Sequence, residues 1–168
     1  MPPFAPPCLL SCFLNSINGA AQIVARDMGG IKRFDSNSDE LRAQTLKLLQ
    51  SYHALIVERR FDEWIELWAE DGTCEFPYAP EGRPRVLQGK NAILAYMTGY
   101  PEWIAIDSIA EMRVHAMHDP ELAVVEMAIK GRALTTGRPY NQRYVIVVEA
   151  RNGKIWRYRE YWNPLVTL

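Results

Sequence analysis

From residue 103 to residue 163 the chain is a succession of four long runs rich in Val, Ile and aromatic residues, at 103 to 117, 121 to 133, 139 to 150 and 154 to 163. Runs of this kind, cut by the turn pairs Asp119-Pro120, Thr136-Gly137 and Asn152-Gly153, predict four consecutive antiparallel strands. Asn-Gly between alternating apolar residues is the strongest short-range hairpin signal, so the last two runs are expected to form a hairpin. A sheet of this length needs something to cover one face, and the preceding segment supplies it. Leu41, Thr45, Leu48, Tyr52, Leu55 and Ile56 recur at three- and four-residue intervals, which predicts an amphipathic helix over 39–58 with Tyr52 on its buried stripe. A short second helix holds Phe61, Trp64, Ile65 and Trp68 and is expected to stop at Asp71-Gly72. A brief strand, 73–76, leads into a Pro/Gly loop from Pro77 to Pro84, and a third helix covers about 90–98. Helices first and an antiparallel meander afterwards is an α+β domain, with three N-terminal helices packed on one curved sheet.

The first forty residues are different material. Pro2, Pro3, Pro6 and Pro7 crowd the start, while all five tryptophans and all eight tyrosines lie from Tyr52 onward. The folded domain is therefore expected over 39–168, with 1–38 a disordered leader or the product of a start codon placed upstream of the true one near Met28. The apolar run from Cys8 to Leu14 has no basic residue before it and is too short to span a bilayer. The LLSC stretch ending at Cys12 has the form of a lipoprotein cleavage box without its basic n-region. Lys and Arg (19) nearly balance Asp and Glu (20), so no electrostatic footprint for nucleic acid or an anionic membrane is present. Three cysteines without paired spacing make neither a disulfide framework nor a structural zinc site, and a reducing, cytoplasmic setting is expected. Phosphate-binding glycine loops and a GxSxG elbow are absent, so the chain is expected to work without a nucleotide cofactor.

Alternation along the last strand groups Trp156, Tyr158, Glu160 and Trp162 on one face and Arg157, Arg159, Tyr161 and Asn163 on the other. If the first face is the concave one, Glu160 is a carboxyl group among aromatics. Desolvation then raises its pKa and suits it to donate or accept a proton near neutrality. The alternative parity makes Glu160 half of a surface ion pair with a cross-strand arginine. Tyr96 on the third helix, with Gln142 and Tyr144 alternating alongside Ile146, could offer hydrogen bonds to the same space. Met127, with Met97, Met112 and Met117, reads as core or cavity lining. His53 follows Tyr52 on the helix, about 100° further round, so only one of the two is expected to face a pocket directly, and Tyr52 fits the stripe better. His115 and His118 lack a third ligand at recognisable spacing, so no metal site is expected. Cys74 has no basic setting to activate it. Arg83 and Arg85 flank Pro84 in the loop, where an arginine at a cavity mouth could steer an acidic substrate.

This order of elements also resembles a family. WAEDGTCEFPYAP, YPEW at 100 to 103 (a turn), HDPELAVVE at 118 to 126 and RNGKIWRYREYWNPL at 151 to 165 look like the nuclear-transport-factor-2-like superfamily, in its SnoaL-like and phenazine-biosynthesis A/B-like branches. The resemblance covers about residues 39–168. It implies a cone-shaped, cystatin-like fold enclosing a deep apolar cavity, and a homodimer paired through the convex sheet face. The family's limonene-epoxide-hydrolase-like members carry a catalytic acid where Glu160 stands, and its phenazine A/B-like members carry a glutamate there. The epoxide-hydrolase pattern also needs an Arg and an Asp where this chain has Met127 and Ile129, which removes the water-activating set. Steroid-isomerase-like members keep a tyrosine where Tyr52 stands, but Phe76 replaces their proton-shuttling Asp before the loop proline, so Glu160 or Glu75 would have to substitute.

Two functions follow as expectations. One is cofactor-independent acid–base isomerisation, cyclisation or dehydration of a hydrophobic polyketide-, terpene- or phenazine-like molecule. In it Glu160 moves the proton, and Tyr52, Tyr158 and Gln142 hold the oxygen on which charge develops. Tyr144, Trp162, Met127, Ile129, Phe76 and Tyr96 would line the pocket. The other is a non-catalytic dimer whose carboxyl merely anchors a ligand. Epoxide hydrolysis ranks behind both.

Overall fold

Four strands expected from the runs after residue 103 are present in the computed structural model, which describes residues 36–167. Residues 1–35 of the expected leader, with the Cys8 to Leu14 run and Met28, lie outside the described residues. Helix α1 (Ser36–Val57) begins three residues before the expected start, taking the polar Ser36 to Ser38 into its first turn. It buries Thr45, Leu48, Leu49, Tyr52 and His53. Thr45 Oγ1 donates to Pro120 O at 2.9 Å, and Arg42 bonds Met117 O, so α1 is tied to the turn at the far end of the sheet.

Helix α2 (Phe61–Trp64) is one turn and runs into a 3₁₀ turn (Ile65–Leu67). The second helix therefore ends before Trp68, and Asp71-Gly72 is not its stop. Trp68 already belongs to strand β1 (Trp68–Glu75), whose pairing slips between Trp68 and Thr73. Gly72 permits that irregularity, because a Cβ there would sit 2.9 Å from Ala69 O. A three-residue strand missing from the sequence reading, β2 (Val86–Gln88), returns from the Pro/Gly loop to pair antiparallel with β1. Helix α3 (Lys90–Trp103) is five residues longer than expected and absorbs YPEW, which is a last helical turn and not a free one. Pro101 removes one amide there. The Trp103 ring is nonetheless held in place, edge-on to Tyr96 at 6.0 Å and 5.4 Å from the Arg83 guanidinium.

Strands β3 (Ile104–Ala116), β4 (Leu122–Ala133), β5 (Gln142–Arg151) and β6 (Lys154–Trp162) form the meander. The sheet order is β2-β1-β6-β5-β4-β3, antiparallel throughout except where β1 runs parallel to β6. Asn152 and Gly153 both take positive φ, 53° and 71°, as a tight hairpin between β5 and β6 requires. Register slips in β3, around Asp107 and Ala110, bend the sheet. The core gathers where α1, α2 and β1 meet. Trp64 and Trp68 are fully enclosed with rings 5.6 Å apart, and Tyr52 lies against both.

Candidate functional site

Between α1, α3 and the concave face of the sheet lies a cavity of about 650 Å³. Of the residues expected to line it, Tyr52, Phe76, Tyr96, Met127, Ile129, Tyr144, Tyr158, Glu160 and Trp162 do so. Two expectations fail. Trp156 leaves the face of Tyr158, because the β5–β6 pairing skips it: Glu149 pairs with Arg157 and Ala150 with Ile155. That bulge turns Ile155 into the core and puts Trp156 under the Arg151 guanidinium at 4.8 Å. Gln142 shares the concave side but is absent from the lining. Its Nε2 donates to Asn163 O at 2.9 Å and its Oε1 accepts from Asn163 N, so the amide pins the chain beyond β6 instead of facing a ligand.

Glu160 pairs with Ile146 across the sheet and points into the cavity. Among the described residues no cation lies within ion-pairing distance of it, so the surface-pair alternative does not hold. Burial pushes its pKa up to about 7, partly opposed by the Tyr158 hydroxyl, which donates to Oε2 at 3.3 Å. Tyr158 stacks on Tyr52 with ring centroids 5.1 Å apart, and each phenol acts on the other's pKa. Tyr52, Tyr158 and Glu160 thus stand in a row from the helix to the sheet, the first two joined by their ring stack and the last two by a hydrogen bond.

A second hydroxyl cluster stands beside it. The Tyr140 and Tyr144 oxygens are 3.0 Å apart, and the buried Tyr100 phenol lies close enough to interact electrostatically with both. Tyr144 sits opposite Trp162 and hence diagonal to Glu160 on the same face of the sheet. Burial raises the pKa of all three phenols, which keeps them neutral donors at physiological pH. Neither Tyr100 nor Tyr140 was singled out from the sequence. Tyr140 carries the parity of Gln142 and Tyr144, so that signal was there to read, whereas Tyr100 was hidden by reading YPEW as a turn.

His53 also lines the cavity, correcting the expectation that only Tyr52 could face it. A cavity this wide wraps around α1 far enough to reach two neighbours. The His53 Nδ1 is 2.8 Å from Leu49 O, and burial lowers its pKa to about 4, so the ring is a neutral imidazole. Glu75 is no substitute acid, since it belongs to the convex face. Burial would raise its pKa, but Arg157 at 2.5 Å and Arg159 at 3.2 Å outweigh that and keep it ionised. Cys74 is buried against the cavity and its thiol is pushed well up, which leaves it inert. His115 is paired with Glu126 at 3.0 Å on the surface, and among the described residues no three His, Cys, Asp or Glu are grouped to hold a metal. No described helix is long and apolar enough to cross a membrane.

The sequence profile of the SnoaL-like domain matches residues 49–158. The chain belongs to the SnoaL-like family. An uncharacterized Bacillus subtilis protein, YesE, is 41% identical over 130 residues, covering 77% of this chain and 86% of that protein. A PhzA/B-like protein of Pseudomonas aeruginosa is 33% identical over 129 residues, covering 77% and 86%. Among solved structures, a Bacillus subtilis protein named for a proposed isomerase activity superposes with a TM-score of 0.71 at 40% identity, covering 75% of this chain and 91% of that one. A phenazine biosynthesis-related protein of Pseudomonas aeruginosa superposes with a TM-score of 0.65 at 22% identity, covering 79% and 87%, and shares the fold. The SnoaL-like profile includes Tyr52 and Tyr158 and ends two residues before Glu160. In this SnoaL-like cavity Met127 and Ile129 present apolar side chains.

Proposed function

We propose that the protein is a cofactor-independent acid–base enzyme that isomerises, cyclises or dehydrates a hydrophobic polyketide-, terpene- or phenazine-like carbonyl compound. The observation that carries this reading is Glu160, a carboxyl group with a pKa of about 7 in an apolar cavity furnished with tyrosine hydroxyls. At that pKa both protonation states are populated at working pH, which suits a group that must take a proton and return it. As a carboxylate, Glu160 removes a proton from the carbon next to a substrate carbonyl. The electron pair moves onto the carbonyl oxygen, which accepts hydrogen bonds from the Tyr100, Tyr140 and Tyr144 cluster. As the acid, it gives the proton back at a different carbon, or to a hydroxyl that leaves as water. Both steps conserve electrons, so no redox partner is consumed.

Isomerisation, aldol-type closure and dehydration share the first step, so a simple ketone tests it. Exchange of the α-protons of 2-tetralone in D₂O, followed by NMR, should be faster with the protein than with buffer alone, and Glu160→Gln should abolish the acceleration. Equal exchange with the native protein and the variant overturns the assignment. A ligand that leaves the protein chemically unaltered would instead mark a non-catalytic binding protein. We also propose a homodimer through the convex sheet face, where Val145 is 43% exposed and Tyr78 packs edge-on to Tyr161 at 5.4 Å. Light scattering at graded protein concentration tests it.

A further inference from the structure

The charged residues of the cavity are sorted by depth. Glu160 is half-buried within it, whereas Arg59, Arg83, Arg138 and Asp107 line it as solvent-exposed residues, which places them on the side of the opening. The three arginines come from three separate connections. Arg59 follows α1, Arg83 lies in the loop between β1 and β2, and Arg138 lies in the turn between β4 and β5. In a chain whose net charge is −1, three cations converging on one opening is a local excess.

Two of them are placed at visible structural cost or without a carboxylate. Arg59 has φ 57°, and the helix ends there in a Schellman motif, with Arg60 N bonded to Leu55 O at 2.9 Å and Arg59 N to Ile56 O at 3.1 Å. That position normally takes glycine, since a side chain is strained in the left-handed region. Arg83 packs over the Trp103 ring. Among the described residues neither Arg59 nor Arg83 is ion-paired, unlike Arg60, Arg143, Arg151, Arg157 and Arg159. A guanidinium fork is shaped to hold a carboxylate through two parallel hydrogen bonds.

We infer that the cavity takes an apolar organic acid, its anionic head held by Arg59 and Arg83 at the opening and its apolar body directed toward Glu160. The inference rests on the cavity being the substrate site, as proposed above, and adds the charge and orientation of the substrate. An ionised Glu160 repels a second anion, so the head stays outside and the opposite end of the molecule meets the carboxyl.

A pair of fluorescent probes with one aromatic body and different charge tests it. One is 1-anilinonaphthalene-8-sulfonate and the other is its uncharged parent, N-phenyl-1-naphthylamine. The combined substitution Arg59→Gly with Arg83→Gln should weaken binding of the sulfonate at least about five-fold while moving the neutral probe by less than about two-fold. About 0.5 M NaCl should produce the same split on the native protein. Arg59→Gly alone should raise the melting temperature, so lost affinity in that variant is not lost folding. Ile129→Trp, which fills the cavity, should abolish binding of both probes. Sulfonate binding that ignores both arginines and salt, beside a neutral probe that Ile129→Trp displaces, overturns this inference alone. A neutral probe indifferent to Ile129→Trp overturns the cavity as the ligand site, and this inference with it. The α-proton exchange assay reports separately on Glu160.

Discussion

Tyr158 and Glu160 leave β6 on the same face, and the Tyr158 hydroxyl donates to Glu160 Oε2 at 3.3 Å. A donor to a carboxylate favours its charged form, so this bond restrains a pKa that burial drives up to about 7. Tyr158→Phe keeps the ring stack on Tyr52 and deletes the donor. The Glu160 midpoint, read from the carboxyl carbon by NMR titration, should move further up, by roughly half to one unit. A downward shift or none would mean that the hydroxyl does not act on the carboxyl.

Glu160 should also leave a mark on stability. It holds its proton more tightly in the folded protein, at about 7, than at its ordinary value of 4.5. Folding therefore takes up a proton between those two values. The favourable contribution is complete below the ordinary value and is lost as pH rises through about 7. Glu160→Gln removes that loss. Its stability relative to the native protein should rise by up to about 3 kcal/mol between about pH 5 and about pH 8, measured by urea unfolding. A pH-independent difference would contradict the buried placement of the carboxyl.

His53 titrates with the opposite sign. Its folded pKa, about 4, lies below the ordinary 6.5, so the unfolded chain takes the proton first. Its contribution is complete above 6.5 and is lost as pH falls toward about 4. Between about 4.5 and 6.5 the His53 and Glu160 slopes oppose each other and the native protein should show a flat stability profile. His53→Asn, which can still donate to Leu49 O, should expose the Glu160 slope alone: stability falling with rising pH across that interval. Glu160→Gln should expose the reverse. Parallel profiles in the two variants would refute the pairing.

What was legible in the sequence was what is local. The Asn152-Gly153 hairpin, the stripe that buries Tyr52, and the parity that groups Tyr158, Glu160 and Trp162 each depend on residues close in the chain. What was not legible depends on pairing or on distance. The bulge that expels Trp156 is a property of the β5–β6 register, and nothing in KIWRYREYW announces it. Helix α3 continues through Pro101 because Trp103 finds Tyr96 and Arg83 to pack on, and with it goes Tyr100 of the hydroxyl cluster. Arg59 and Arg138 are remote from Arg83 in sequence, and only the closing of the cone brings the three to one opening.

The curvature that makes a cavity possible can itself be tested at Gly131. It pairs with Ile106 beside the bulge at Asp107, and a Cβ built on it would stand 2.4 Å from Ala105 O. That oxygen belongs to the main chain of β3 and can retreat only if the strand moves. Gly131→Ala should destabilise the protein by roughly 1–3 kcal/mol through this overpacking. Gly137, in the β4–β5 turn, has φ +69° and open space where a Cβ would go. Gly137→Ala should cost about 1 kcal/mol, from left-handed strain alone. The discriminating measurement is neutral-probe binding at a denaturant concentration where both variants remain folded. Gly131→Ala should weaken it by displacing β3 from the cavity wall, and Gly137→Ala should not. Equal binding in the two would separate the close approach at Gly131 from the shape of the cavity.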